Sequence, residues 1–188
     1  MIKIGLTGSI SSGKTTAINI ISKNRKLIFS ADKAVKKLYS NTIFRSRIAK
    51  KFGFKRNTDF KKKLKDQILK KKINLKKLEK IIHPAVRREM IIFSKKNKNK
   101  KILFYEIPLL VENKLNNYFD VVIVLKAKKN LRLKRYKSKG GITKLFTLLN
   151  SRQLSDSKKM KFCNHIVVNN RSLSFLKAQL LNIINLYE

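Results

Sequence analysis

The segment Gly8-Ser9-Ile10-Ser11-Ser12-Gly13-Lys14-Thr15 sets two glycines, an amine and a hydroxyl at the spacing G-x-x-x-x-G-K-[ST]. Each residue type answers a separate need of phosphate binding. Gly8 and Gly13 allow a tight, closely approaching backbone whose successive N–H groups can face a phosphate. A helix opening near Gly13 adds its positive end. Lys14 is a mobile cation able to reach β- and γ-phosphates, and Thr15 offers a hydroxyl to Mg²⁺. Ser11, Ser12 and Thr16 complete the set of expected phosphate-binding positions around the loop. The motif implies a bound nucleoside triphosphate with Mg²⁺. It does not say what receives a phosphoryl group.

An acceptor hydroxyl needs a base or orienting carboxylate nearby. The chain has only ten acidic residues, and Asp32, Glu106 and Glu112 all fall at predicted strand ends or in loops. Asp32, in FSAD (29–32), follows the second predicted strand, at the edge where α/β sheets bind ligands. Two readings of it stand side by side: a base at the acceptor, or a cap on the helix KAVKKLY.

These residues need a scaffold, and the hydropathy pattern supplies one. MIKIGLT (1–7) reads as a buried strand that enters the glycine loop and then a helix to about Lys23. KLIFS (26–30) is a second strand, followed by the helix KAVKKLY. Between 41 and 98 apolar residues recur at three- and four-residue spacing (Ile43, Phe44, Ile48, Phe52, then Leu64, Ile68, Leu69, then Leu75, Leu78, Ile81, Ile82), so this block is helical, with Pro84 in a first turn or at a kink. KILFYEIPLL (101–110) is a strand running into a loop. DVVIVLKA (120–127) is a strand apolar enough for a parallel sheet covered on both faces. A basic helix, NLRLKRYKSK, ends at Gly140-Gly141. A polar stretch, the short strand HIVV (165–168) and an amphipathic helix on Leu173, Leu176, Leu180 and Ile184 complete the chain. Strands alternating with helices, the glycines in the first βα turn, predict a doubly wound, mostly parallel α/β domain of 188 residues.

Composition limits the classes further. No apolar run reaches the roughly 18 residues of a membrane span, Lys3 breaks the first apolar run before it could act as a secretion signal, and the single Cys163 excludes a disulfide framework or a cysteine-rich zinc site. A cytoplasmic protein with no membrane association is expected. The net charge of +37, from 47 Lys+Arg against 10 Asp+Glu, has two readings. One is a nucleic-acid surface gaining affinity by counterion release. The other is compositional drift in a chain crowded with Lys, Ile, Asn and Phe throughout. The basic residues spread over nearly every segment, so drift is preferred and no specific nucleic-acid partner is expected.

Taken in order, LTGSISSGKTT, SAD, IIHPAVRRE, IPLLVEN and VNN resemble the dephospho-coenzyme A kinase family over nearly the whole chain. The resemblance implies a P-loop nucleoside triphosphate hydrolase-type core, a helical substrate-binding insertion (41–98) and a lid (about 136–153) within one domain. It implies transfer of the ATP γ-phosphate to the ribose 3′-hydroxyl of dephospho-CoA. By the same resemblance Asp32 takes the proton of that hydroxyl, and His83 and Arg87 line the dephospho-CoA side. Pro108, Leu109 and Leu110 form a substrate-side loop ending at Glu112. Arg135 opens the lid and faces the triphosphate, and Asn169 lies near the adenine. Read without it, His83 is equally a core histidine before a proline, Pro108-Leu109-Leu110 plain core, and Arg135 a solvated helix face. A monomer or weak homo-oligomer is expected.

The chain departs from the family pattern in several places. Ser9 and Ser11 replace glycines usual in the loop, Val168 stands where Asp is usual, and Glu106 where Asp is frequent. The lid is one residue short between Arg135 and Gln153, and an arginine expected before the glutamine is absent, with Arg152 or Lys144 as substitutes. Two other functions compete: a small P-loop kinase for a nucleoside or nucleotide, and a basic RNA-associated protein with a vestigial loop.

Overall fold

The computed structural model describes residues 1–24, 27–54, 59–70 and 72–188. Lys26, expected to open the second strand, and residues 55–58 and 71, expected within the helical block, lie outside the described residues. The chain divides into two compact units, one formed by Met1–Ser30 with Asn97–Glu188 and the other by Ala31–Lys96.

The first unit is built on five parallel strands, β1 (Ile2–Gly8), β2 (Ile28–Ser30), β3 (Ile102–Glu106), β4 (Val121–Lys126) and β5 (His165–Val168), in the order β2-β3-β1-β4-β5. The near-continuous apolar character of β1, β3 and β4 matches their burial on both faces. On one face Ile4, Leu6, Phe104, Val121, Ile123, Leu125 and Val167 pack with Ala17, Ile18 and Ile21 of helix α1 (Lys14–Asn24). Leu176, Leu180 and Ile184 of the last helix, Leu173–Asn185, join the same cluster. On the other face Gly5 leaves room for Leu110 and Phe119, since a Cβ there would lie 2.7 Å from the Leu110 side chain. Tyr105 stacks at a tilt on Phe119, with ring centroids 5.2 Å apart.

β1 lies between β3 and β4, so the chain leaves it to one side for β2 and crosses it later to reach β4. The crevice such a reversal opens is at the carboxyl end of β1. The phosphate loop is in that position.

The second unit contains α2 (Ala31–Ser40), α3 (Thr42–Phe52), α4 (Phe60–Lys70) and α5 (Lys72–Lys96). Ile48, Ala49, Phe60, Leu64 and Leu78 form its core, flanked by Tyr39, Phe44, Ile68, Ile81 and Ile82. Phe44, Ile48, Leu64, Ile68, Leu78, Ile81 and Ile82 are among the residues whose helical spacing the sequence displays, whereas Ile43 of that series is exposed. Asn41 caps α3 by accepting from the Phe44 N–H, and Gly53 closes it in the left-handed conformation at φ 69°. Pro84 sits in the interior of the 25-residue α5 rather than in a first turn. A proline there leaves the carbonyl four residues earlier, on Lys80, without its helical donor.

The expectation of a plain polar stretch after the basic helix is incorrect. That basic helix, α6, spans Lys129–Lys137, and two more follow, α7 (Thr143–Ser151) and α8 (Asp156–Met160), before the terminal helix, α9. Leu145, Phe146 and Leu149 give α7 one apolar face; Phe146 is buried under the Tyr136 ring, 5.6 Å away. Ser155 caps α8 by accepting from the Lys158 N–H. None of the helices among the described residues is long and apolar enough to cross a membrane.

Candidate functional site

The loop between β1 and α1 has the backbone its glycines foretell. Gly8 and Gly13 hold φ of 152° and 106°, and Ser11, an L-residue, is in the left-handed region at 56°. A Cβ on Gly8 would lie 2.4 Å from the Leu125 carbonyl oxygen, and one on Gly13 2.1 Å from Asn169 Nδ2. The loop therefore wraps against β4 and Asn169 with no space for larger residues. Lys14 is nearly buried, and its ammonium donates to the carbonyls of Gly8 (2.8 Å) and Ser9 (3.0 Å). Thr15 and Thr16 are exposed in the first turn of α1, where helical N–H groups lack intrahelical acceptors. This is a cradle for anionic oxygens: unsatisfied donors, a helix N-terminus and one cation.

Of the residues expected in the site, Asn169 reaches the loop, and Arg135 reaches Asn169. Asn169 is buried; its side chain donates to the Ser12 carbonyl at 2.9 Å and its own N–H to Lys126 O at 2.8 Å. It holds the loop from beneath. Arg135 Nη2 donates to the Asn169 carbonyl at 3.2 Å, while its Nη1 is buried without a hydrogen-bond partner. An unpaired guanidinium nitrogen this close to the loop fits an anionic ligand.

Glu106 ends β3 beside β1. Its Oε2 accepts from the Ser30 hydroxyl at 2.7 Å, and its buried Oε1 has no hydrogen-bond partner. No cluster of three or more His, Cys, Asp or Glu exists among the described residues. Among the described residues, the exposed Thr15 hydroxyl and the orphaned Glu106 oxygen are oxygen donors of the kind Mg²⁺ takes beside phosphates and water.

Pro108 accepts a hydrogen bond on its carbonyl from the Thr7 hydroxyl at 3.1 Å, and Leu109 is half-buried next to it. Glu112 is committed inside the protein. Its Oε1 accepts from the Leu154 N–H at 2.9 Å and lies 2.9 Å from Nζ of the fully buried Lys159, although that ammonium is not aligned for a hydrogen bond.

Asp32, His83 and Arg87 belong to the helical unit. Asp32 is the second residue of α2, inside the helix rather than at its cap, and it is exposed. There a negative charge also complements the helix dipole. α2 and α5 are joined by an ion pair, Lys37 to Glu89 at 3.3 Å. His83 and Arg87 are one turn apart on α5. Burial pushes the His83 imidazole below its usual value; Glu79 opposes this and Arg87 adds to it. His83 is therefore neutral at pH 7, a hydrogen-bonding group rather than a cation.

The sequence reading missed the residues that grip the loop's tip. Arg132, one turn before Arg135, is buried and donates to Ala127 O (3.1 Å), Asn150 Oδ1 (2.8 Å) and, at 3.4 Å, Ile10 O. Burial lowers its guanidinium value while Asp156 raises it. Gln153 Oε1 accepts from the Ile10 N–H and Asp156 Oδ1 from the Ser9 hydroxyl, both at 2.7 Å. The apolar face of α7 and the Ser155 cap were the available signals that this segment is ordered.

The profile of a family described as dephospho-CoA kinase matches residues 2–174. The dephospho-CoA kinase of Zymomonas mobilis is 34% identical over 187 residues, spanning 97% of this chain and 95% of its own. That of Bartonella henselae is 33% identical over 186 residues, with 96% and 95% covered. Among solved structures, the dephospho-CoA kinase of Campylobacter jejuni superposes with a TM-score of 0.69 at 26% identity, covering 97% of this chain and 95% of that one.

Proposed function

The chain belongs to the dephospho-CoA kinase family, and we propose that it transfers the γ-phosphoryl group of ATP to the ribose 3′-hydroxyl of dephospho-CoA, giving CoA and ADP. The observation that carries this reading is a complete phosphate cradle with an unpaired Arg135 nitrogen beside it, in a chain matched by that family from residue 2 to 174.

The residues divide the work by type. Backbone N–H groups from Ser11 to Thr16, with Gly8 and Gly13 keeping the loop tight, bind the phosphates of ATP. Lys14 leaves the Gly8 and Ser9 carbonyls to meet the β- and γ-phosphate oxygens, exchanging two neutral acceptors for charged ones. Thr15 and Glu106 would hold Mg²⁺, which would supply neutralisation of phosphate charge. Arg135 stabilises charge that grows on the transferred group, where its unpaired nitrogen gains a partner. Asp32 accepts the proton of the 3′-hydroxyl as the new P–O bond forms and the bond to the β-phosphate oxygen breaks. Neutral His83 and cationic Arg87 bind the acceptor, with Pro108 and Leu109 on a loop whose shape Glu112 maintains. Asn169 supports the loop on the nucleotide side. The block 41–98 serves as the acceptor-binding region, and about 136–153 as the lid.

A coupled assay of ADP release with Mg²⁺-ATP tests the proposal. Turnover should require dephospho-CoA, should not be supported by nucleosides or nucleotides, and should fall by about 10²–10⁴ in Asp32→Asn. Turnover independent of dephospho-CoA, or an Asp32→Asn enzyme equal to the parent, would refute it.

A further inference from the structure

Ser9 lies in the phosphate loop, and the structure gives its hydroxyl a purpose. Ser9 is buried, and its hydroxyl donates to Asp156 at 2.7 Å across 147 residues of sequence. Its carbonyl accepts from the Lys14 ammonium at 3.0 Å. The same residue thus joins Asp156 on one side to the phosphate-binding lysine on the other. Ile10, next in the loop, is held through both of its backbone groups, by Gln153 at the N–H and by Arg132 at the carbonyl. Arg132 and Gln153 are themselves tied to the same stretch, Arg132 through Asn150, and Asp156 acts electrostatically on Arg132. Side chains that have no place among the phosphate donors therefore fix the loop immediately before Ser11, the residue held at φ 56°.

From this arrangement we propose that Asp156 is a positioning residue for the phosphate loop, acting through the Ser9 hydroxyl to hold the loop in its nucleotide-binding shape. Three side chains from α6 to α8, those of Arg132, Gln153 and Asp156, meet a loop of eight residues, so this segment and the loop form one hydrogen-bonded unit. A loop shaped in advance pays less ordering entropy when the nucleotide arrives. A glycine at position 9 would offer Asp156 nothing, so the serine and the aspartate form a matched pair in this chain.

The inference rests on the nucleotide-binding reading of the loop but not on the identity of the acceptor. The test is therefore calorimetric titration of the full chain with Mg²⁺-ADP, accompanied by the KM for ATP and kcat. Ser9→Ala and Asp156→Ala should each raise the Kd for ADP by about fivefold to tenfold, the worth of one hydrogen bond to a charged acceptor that is partly recovered by water. The double variant should be no weaker than the weaker single variant, because both remove one linkage. Asp156→Asn, which keeps an acceptor oxygen, should recover most of the affinity, and KM for ATP should rise by a larger factor than kcat falls. Additive losses in the double variant, or ADP affinity unchanged in Ser9→Ala, would overturn the proposal. Ser9→Ala carries the test by itself if Asp156→Ala does not fold. A parent chain that fails to bind ADP would instead refute the underlying reading of the loop.

Discussion

Lys159 has no solvent-exposed side-chain surface, and its charge is set against Glu112, which is 12% exposed. Replacing it by Met keeps most of the aliphatic volume, so the packing loss is small. What is lost is the cation. Glu112 retains the Leu154 N–H, but its second oxygen is already buried without a hydrogen-bond partner. Removing one member of a buried pair costs about 3–5 kcal/mol, because the remaining charge stays desolvated. For a chain of 188 residues each kcal/mol is about 2–4 °C, so Lys159→Met should lower the melting temperature by about 6–20 °C. Adding Glu112→Gln removes the stranded charge, keeps an acceptor for Leu154, and should restore more than half of that loss. Circular dichroism melts of the parent, both single variants and the double variant complete the cycle. A Lys159→Met loss within about 1 kcal/mol, the range of a surface pair, would refute the reasoning, as would a double variant no more stable than Lys159→Met.

Three further outcomes follow from the site. Gly13→Ala combines a positive φ with a Cβ 2.1 Å from Asn169 Nδ2, so it should cost more than about 2 kcal/mol and abolish ADP binding by calorimetry. Ser11→Val should weaken ADP binding because a β-branched residue resists φ 56°, whereas Ser11→Gly should leave stability within about 1 kcal/mol of the parent. His83 is held below its ordinary 6.5 by burial, so the unfolded chain binds more protons than the folded one as the pH falls. Its contribution is complete above 6.5 and is lost as the pH drops through the lower folded value, so urea midpoints should fall less steeply with acidification in His83→Gln than in the parent.

How much of this was legible beforehand depended on the reach of each signal. The phosphate loop could be read whole because its chemistry is local: Gly8 and Gly13 must turn, and Lys14 and Thr15 open the next helix. β1, β3 and β4 declared themselves by continuous apolar runs, since a strand covered on both faces has no polar side to show. The core of the helical unit was visible as the spacing of Ile48, Leu64 and Leu78. α7 and α8 were hidden because they are short and mostly solvent-facing, with few buried side chains (Phe146 in α7, Lys159 in α8) to mark a helical period. Arg132, Gln153 and Asp156 look like solvated positions in sequence, and only the fold places them on Ser9 and Ile10. Glu112 and Asn169, expected from the family pattern on the substrate and nucleotide sides, also have side chains engaged in holding loops, which the sequence did not show. Arg135 gained specificity from the structure, which left one of its nitrogens buried and unpaired beside the cradle.

Product analysis by phosphorus NMR, after incubating the parent chain with Mg²⁺-ATP and dephospho-CoA, tests the central claim most directly. The account predicts one new phosphomonoester on the ribose 3′-oxygen, formed in equal amount with ADP. ADP formed without that monoester, or a phosphate added at any other position, would contradict it.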